Sequence, residues 1–487
     1  MYIRRWQSLL CLALSSLPLT AQQAPPLAPA VQKYVRVNSP RTVLEHVRVI
    51  DGTGKPAIDD QNVVLAGGKI IAVEPGADVP ATDGTVVLHL RGYSVIPGIV
   101  GMHNHLFYIA RPDRSAAGPG EPPVLVPQMT FSSPRLYLAG GVTTLRTTGS
   151  VETYADLNLK REIDAGNLPG PHIDVTGPYL EGPNSYFIQM HQLSDPDDAR
   201  RMVNYWADQG VTSFKAYMNI TRDELKAAIE EAHKRGIKVT GHLCSVTYKE
   251  AAELGIDDLE HGFFVNTQLD PGKKPDVCAA PYGDATLEKM APDSAEAKDL
   301  IATLVRAHVA VTSTLPVFEH SVPGRPPLQQ RVMDAMTPEA RDAYLYSRNA
   351  RAAAPAGKSL DMLHRDMQLE KAFADAGGLL IAGPDPTGNG GTLPGFGDQR
   401  EIELLVEAGF TPVQAIQIAT MNGAVYLGKQ NQIGSITAGK NADLVIVKGD
   451  PASHIEDVEN VEIVFKDGVG FDSQKLLESV KGRYGQY

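Results

Sequence analysis

Eight short apolar runs, set apart by helical runs, constrain this chain more than any other feature. They lie at residues 95–106, 142–145, 173–176, 211–215, 237–242, 256–261, 309–313 and 379–382. Their short, Val- and Ile-containing character suits strands covered on both faces. Helical runs at 194–209, 222–235, 247–254, 295–307 and 359–376 separate many of them. Gly210, Gly236, Gly255 and Gly377 stand where those helices should stop, and glycine accepts the left-handed conformation of a C-cap. Eight strands alternating with helices predict an α/β fold of the (β/α)8 TIM-barrel type. The alternative is an open doubly wound sheet, but no G-x-G-x-x-G follows any strand.

The two ends of the chain have a different texture. Short strands separated by Gly-containing turns are expected at 42–50, 62–65, 69–73 and 86–90, and again at 443–447 and 461–465. Neither end carries enough apolar surface for its own core. One small β-sandwich composed of both ends, residues 32–97 plus 428–475, resolves this. The barrel domain then spans 98–427.

Residues 1–21 read as a secretory signal peptide: Arg4 and Arg5 precede an apolar run ending near Leu19-Thr20-Ala21, followed by a Pro/Ala-rich leader at 22–31. Cys11 lacks the small-residue context of a lipoprotein signal, so no membrane anchor is expected. A secreted or periplasmic location follows. Cys244 and Cys278 could bridge, but their spacing gives no argument for it. The net charge of −12 excludes an electrostatic nucleic-acid binder. A homo-oligomer is compatible with this composition.

A barrel carries its chemistry at the C-terminal ends of its strands. His103 and His105 end the first run, two residues apart, so an extended backbone points both to one side. Lys215 ends the fourth run, His242 the fifth and His261 the sixth, and Asp385 follows the eighth. Imidazoles and a carboxylate suit a borderline divalent metal, with zinc the expected ion. A lysine carbamylated by CO₂ would become an anion able to bridge two such ions. A bridging hydroxide would be nucleophilic at neutral pH, with Asp385 carrying its proton to a leaving amine.

The chain resembles the amidohydrolase superfamily, in the subgroup of imidazolonepropionases and prolidase-like dipeptidases. The resemblance covers roughly 40–470. It rests on Ile96-Pro97-Gly98 with His103-Asn104-His105, Gly141-Val142-Thr143-Thr144-Leu145-Arg146, Phe214-Lys215, Gly241-His242 and Leu259-Glu260-His261-Gly262, and on the later Gly434-Ser435-Ile436 and Gly439-Lys440-Asn441-Ala442-Asp443-Leu444-Val445. It implies a distorted barrel with a composite sandwich. It also implies that His103, His105 and Asp385 hold the more buried of two ions, that His242 and His261 hold the other, and that carbamylated Lys215 bridges them. Three departures stand out: Arg146-Thr147 replaces Arg-Asp, His242-Leu243-Cys244 replaces His-Ala-His, and Gly383-Pro384 replaces Gly-Thr. The second histidine of His-Ala-His often helps bind substrate in relatives.

The expected activity is therefore hydrolysis of a small-molecule amide, either a dipeptide or an N-acyl amino acid, ochratoxin-type amides included. The rivals are a lactonase or esterase on the same metals and a non-catalytic binding protein. Tyr217, Tyr186, His191 and His320 are expected to contact substrate. The loop at 179–192, the Pro-rich stretch at 111–127 and the glycine-rich run at 388–397 are expected to cover the site, the last as a mobile flap.

Overall fold

The computed structural model describes residues 26–80, 82–109, 126–185, 187–353, 355, 357–388 and 391–485. The signal-peptide expectation and Tyr186 lie outside them, as does most of the Pro-rich stretch. No helix among the described residues is long and apolar enough to cross a membrane.

Eight parallel strands form in the predicted places. They are β1 (Ile99–Asn104), β2 (Val142–Thr147), β3 (His172–Val175), β4 (Ser213–Ala216), β5 (Lys238–Gly241), β6 (Asp258–Glu260), β7 (Ala310–Ser313) and β8 (Leu380–Ala382). They are hydrogen-bonded as a three-stranded sheet, β1-β2-β3, and a five-stranded sheet, β4 to β8 in order. Between β3 and β4 the pairing shrinks to isolated parallel bridges just beyond β3, Thr176 to Ser213 and Leu180 to Ala216. On the other side, the Asp385 amide donates to the His103 carbonyl at 3.0 Å, just beyond the end of β8. Gly383 allows this approach, since a Cβ there would lie 2.1 Å from the His103 nitrogen.

The helices between these strands start and stop where local chemistry directs. Thr221 and Thr247 cap Arg222–Lys234 and Tyr248–Leu254 in reciprocal boxes with Glu224 and Glu250. Gly210, Gly236, Gly255 and Gly377 all adopt the left-handed conformation after their helices. Their apolar faces and the strands share one large core that includes Leu145, Phe214, Val239, Leu259 and Val311.

Both ends of the chain enter one nine-stranded sheet. Its centre is the antiparallel pairing of Tyr93–Pro97 with Leu444–Lys448. Hydrogen bonding runs continuously from strand to strand. The long strand Arg41–Val49 changes partners along its length. His46 takes φ 56 and breaks its register. The first half then pairs with Thr85–His89 and the second with Tyr93–Pro97. Val47, Val63, Val95, Leu444, Ile446 and Phe465 give this sheet a core of its own.

Behind β7, Asp366, Glu370 and Glu401 are buried together. Ser313 Oγ donates to Glu370 and the Phe263 amide donates to Asp366, both at 2.7 Å. Burial raises all three acids, Asp366 to about 7 and Glu401 to about 8. A raised folded-state pKa stabilises below the ordinary Glu value, and that contribution is lost as pH rises through about 8. Glu401→Gln is therefore expected to gain stability over the wild type between pH 5.5 and 8.5, by about 1–3 kcal/mol. Urea melts at the two pH values measure it, and a pH-independent difference would refute it.

Candidate metal centre

The six predicted side chains gather at the C-terminal ends of the parallel strands. His103 lies on β1 and His105 just beyond it, Lys215 lies on β4, and His242 and His261 each follow their strand by one residue. His261 and Asp385 sit at φ 70 and φ 53. Such left-handed non-glycine residues are costly and concentrate at functional sites. Here they turn the chain just as it leaves β6 and β8.

Nε2 of His105 lies 3.0 Å from Asp385 Oδ1, and Nε2 of His103 lies 3.8 Å from the same oxygen. One ligand atom from each of the three falls within 4.8 Å of the other two, close enough to hold a single ion. Lys215 Nζ is 3.1 Å from His103 Nε2. The His261 ring centroid lies 4.5 Å from that of His103 and 4.4 Å from that of His242.

Burial sets the charge state. It lowers the pKa of His103, His105 and His261, and brings His242 down to about 3, with the Lys215 charge acting in the same direction. These imidazoles are neutral at pH 7, the form a metal requires. Burial also lowers Lys215 to about 8, which raises its free-amine fraction. Burial alone would raise Asp385, but His103, His105 and Lys215 outweigh it and hold the carboxylate below its usual range. Among the described residues, the buried nitrogens His242 Nε2 and His105 Nδ1 find no hydrogen-bond partner. An orphaned imidazole nitrogen among neutral donors fits a metal ligand.

Residues behind the cluster fix its orientation. Glu260 accepts from His103 Nδ1 at 2.6 Å, leaving Nε2 to face the other ligands. Arg146 holds Glu260 and Asp258 at 2.9 and 2.8 Å and donates to the Met102 carbonyl at 2.9 Å. The His105 amide donates to Tyr137 Oη, which donates back to the His105 carbonyl. His261 Nδ1 pairs with Thr314 at 2.9 Å. Sequence reasoning passes over these positioning roles. Its one available signal is that Glu260 and Arg146 fall inside motifs already carrying ligands.

The cluster opens into a cavity of ≈ 520 Å³. Tyr217 lines it and packs on His242, ring centroids 4.9 Å apart. The loop after β3 supplies Tyr179, Glu181, Asn184, Phe187 and Met190 to the wall. Two expected substrate contacts lie elsewhere. His191 is turned outward and pairs with Asp198 at 2.9 Å, at the start of helix Pro196–Gln209. His320 caps helix Leu315–Glu319 and contacts the Val317 carbonyl; neither histidine lines the cavity. The glycine-rich run is also no flap over its described residues. Leu393 is fully buried, and a Cβ on Gly395 would lie 2.3 Å from the Leu136 carbonyl oxygen. These glycines permit close packing. Cys244 and Cys278 form a disulfide, Cα atoms 5.1 Å apart, tying the segment after His242 to the loop that brings Tyr282 to the cavity.

The family model named Amidohydrolase family matches residues 94–470. The chain belongs to the amidohydrolase family. This amidohydrolase is accordingly a hydrolase of carbon–nitrogen bonds from a metal-dependent family. The imidazolonepropionase of Streptomyces griseus subsp. griseus is 24% identical over 434 residues, 83% of this chain and 89% of the relative. Two solved structures share the amidohydrolase's fold. A Xaa-Pro dipeptidase with bound methionine has a TM-score of 0.64 at 20% identity, covering 89% of this chain and 100% of that one. The ochratoxinase of A. niger has a TM-score of 0.63 at 16% identity, covering 92% of this chain and 100% of that one.

Proposed function

We propose that this amidohydrolase is an exported, binuclear metal enzyme that hydrolyses the amide bond of a dipeptide or an N-acyl amino acid. The observation that carries the proposal is the convergence of four imidazoles, Lys215 and Asp385 at one end of the cavity, which all of them but His103 line. In this reading His103, His105 and Asp385 would hold one divalent ion and His242 and His261 the second, and a carbamylated Lys215 would serve both, with zinc the expected metal. When bound, such ions polarise the amide carbonyl and make water nucleophilic at neutral pH. The chain's own groups do the rest. Glu260 and Arg146 keep His103 oriented. Asp385, on the cavity side, takes the water proton on its carboxylate and delivers it to the leaving nitrogen, which must depart as an amine. Tyr217 and the wall from the loop after β3 hold the substrate against this edge.

The same reading has the eight parallel strands close as a distorted barrel over 98–427. The two-ended sheet, 32–97 plus 428–475, forms the smaller domain. The Cys244–Cys278 disulfide supports export, since such bonds persist in oxidising compartments. Hydrolysis of a panel of dipeptides, N-acyl amino acids and lactones tests the proposal. Amide hydrolysis that is lost on chelation and restored by Zn²⁺ is the expected result. Lactone hydrolysis without any amide turnover would overturn it.

A further inference from the structure

We infer that Glu181 determines specificity in this cavity by receiving a cationic group of the substrate, an ammonium or guanidinium. The inference rests on the amide-hydrolase reading and narrows its substrate class. Glu181 lines the cavity yet is only 1% exposed. Its Oε1 is pinned by two backbone amides, Gly182 at 2.9 Å and Asn219 at 2.8 Å. Those bonds orient the carboxylate but do not balance its charge. Among the described residues, no lysine, arginine or histidine side chain forms an ion pair with it. A carboxylate withdrawn from water without a counter-ion is unfavourable, and a ligand cation relieves that cost. Burial pushes Glu181 up to about 7, a shift that an incoming cation would reverse.

The surroundings agree. Tyr179 and Tyr217 stand on the same wall, and aromatic faces attract cations. The cationic side chain among the described lining residues is Lys215, already engaged at 3.1 Å with His103 in the metal centre. Away from the metal centre the described wall carries no lysine or arginine, so the part around Glu181 complements a positive group. Of the two substrate types proposed above, a dipeptide with a free ammonium or a basic side chain fits. An N-acyl amino acid carrying only negative charge does not.

The test uses the full metal-loaded chain at pH 8.5 and its Glu181→Gln variant, which keeps the Oε1 acceptor. Paired substrates carry or lack one cationic group: lysyl against norleucyl in the second position, nearly matched in shape, and free against acetylated N-terminus. Calorimetric titration with n-hexylamine and with 1-hexanol reads binding without turnover. The wild type is expected to favour the cationic member of at least one pair by about tenfold or more in kcat/KM, and to bind hexylammonium more tightly than hexanol. In Glu181→Gln both preferences should fall to within about twofold of unity. Amide turnover with no charge preference, or a preference that survives in Glu181→Gln, overturns the inference and leaves the amide reading intact. Hexylammonium binding lost in Glu181→Gln without turnover of any amide sustains the inference and counts against the amide reading.

Discussion

Asp385→Asn is expected to lower kcat by about 10³-fold while most of the bound metal remains. The amide side chain keeps a carbonyl oxygen as a ligand but cannot take up a proton at neutral pH. Asp385 Oδ1 sits 3.0 Å from His105 Nε2, and His103, His105 and Lys215 outweigh burial to keep it ionised. The loss should appear in kcat rather than KM, because the carboxylate acts on the reacting atoms. Stopped-time hydrolysis assays alongside metal analysis separate the two effects. Full activity in Asp385→Asn would show that another group moves the proton.

The second large effect is on stability. Arg146→Met is expected to lower the free energy of unfolding by about 3–5 kcal/mol. Arg146 is fully buried, and Asp258 and Glu260, both at 0% exposure, lean on its guanidinium. Removing the cation leaves two carboxylates with no compensating charge. Asp258 is already pushed up to about 6 by burial, so partial protonation should place the loss near the lower end of that range. The variant should also weaken metal binding, because Glu260 orients His103. Urea unfolding of the metal-free wild type and variant isolates the stability effect. A loss below about 1 kcal/mol would mean that the network relaxes around the missing charge.

The strand-end chemistry was legible because it depends on local rules. His103 and His105 share a face by the two-residue repeat of an extended chain, and glycine C-caps mark where each helix returns the chain to a strand. What escaped sequence reasoning depends on contacts distant in the chain. That the two ends of the chain combine follows from their shared texture, but no local pattern says that Tyr93–Pro97 is the strand that meets Leu444–Lys448. The register break at His46, where one strand changes partners, is a backbone feature that no local pattern announces. Cys244 and Cys278 are 34 residues apart, a spacing that means nothing until the loops are folded together. Residue type in a loop is all that points to His191 and His320, and type alone does not say which way a loop side chain turns. Glu181 was missed for the converse reason: a lone glutamate in a loop looks solvated until the fold buries it.

The proposed centre holds two metal ions joined through Lys215. Metal content per chain, measured on protein purified in bicarbonate, tests it most directly. About two zinc ions per chain, falling to one or fewer in Lys215→Ala, is the predicted result. One ion per chain, unchanged in Lys215→Ala, would contradict it and make the enzyme a mononuclear amidohydrolase.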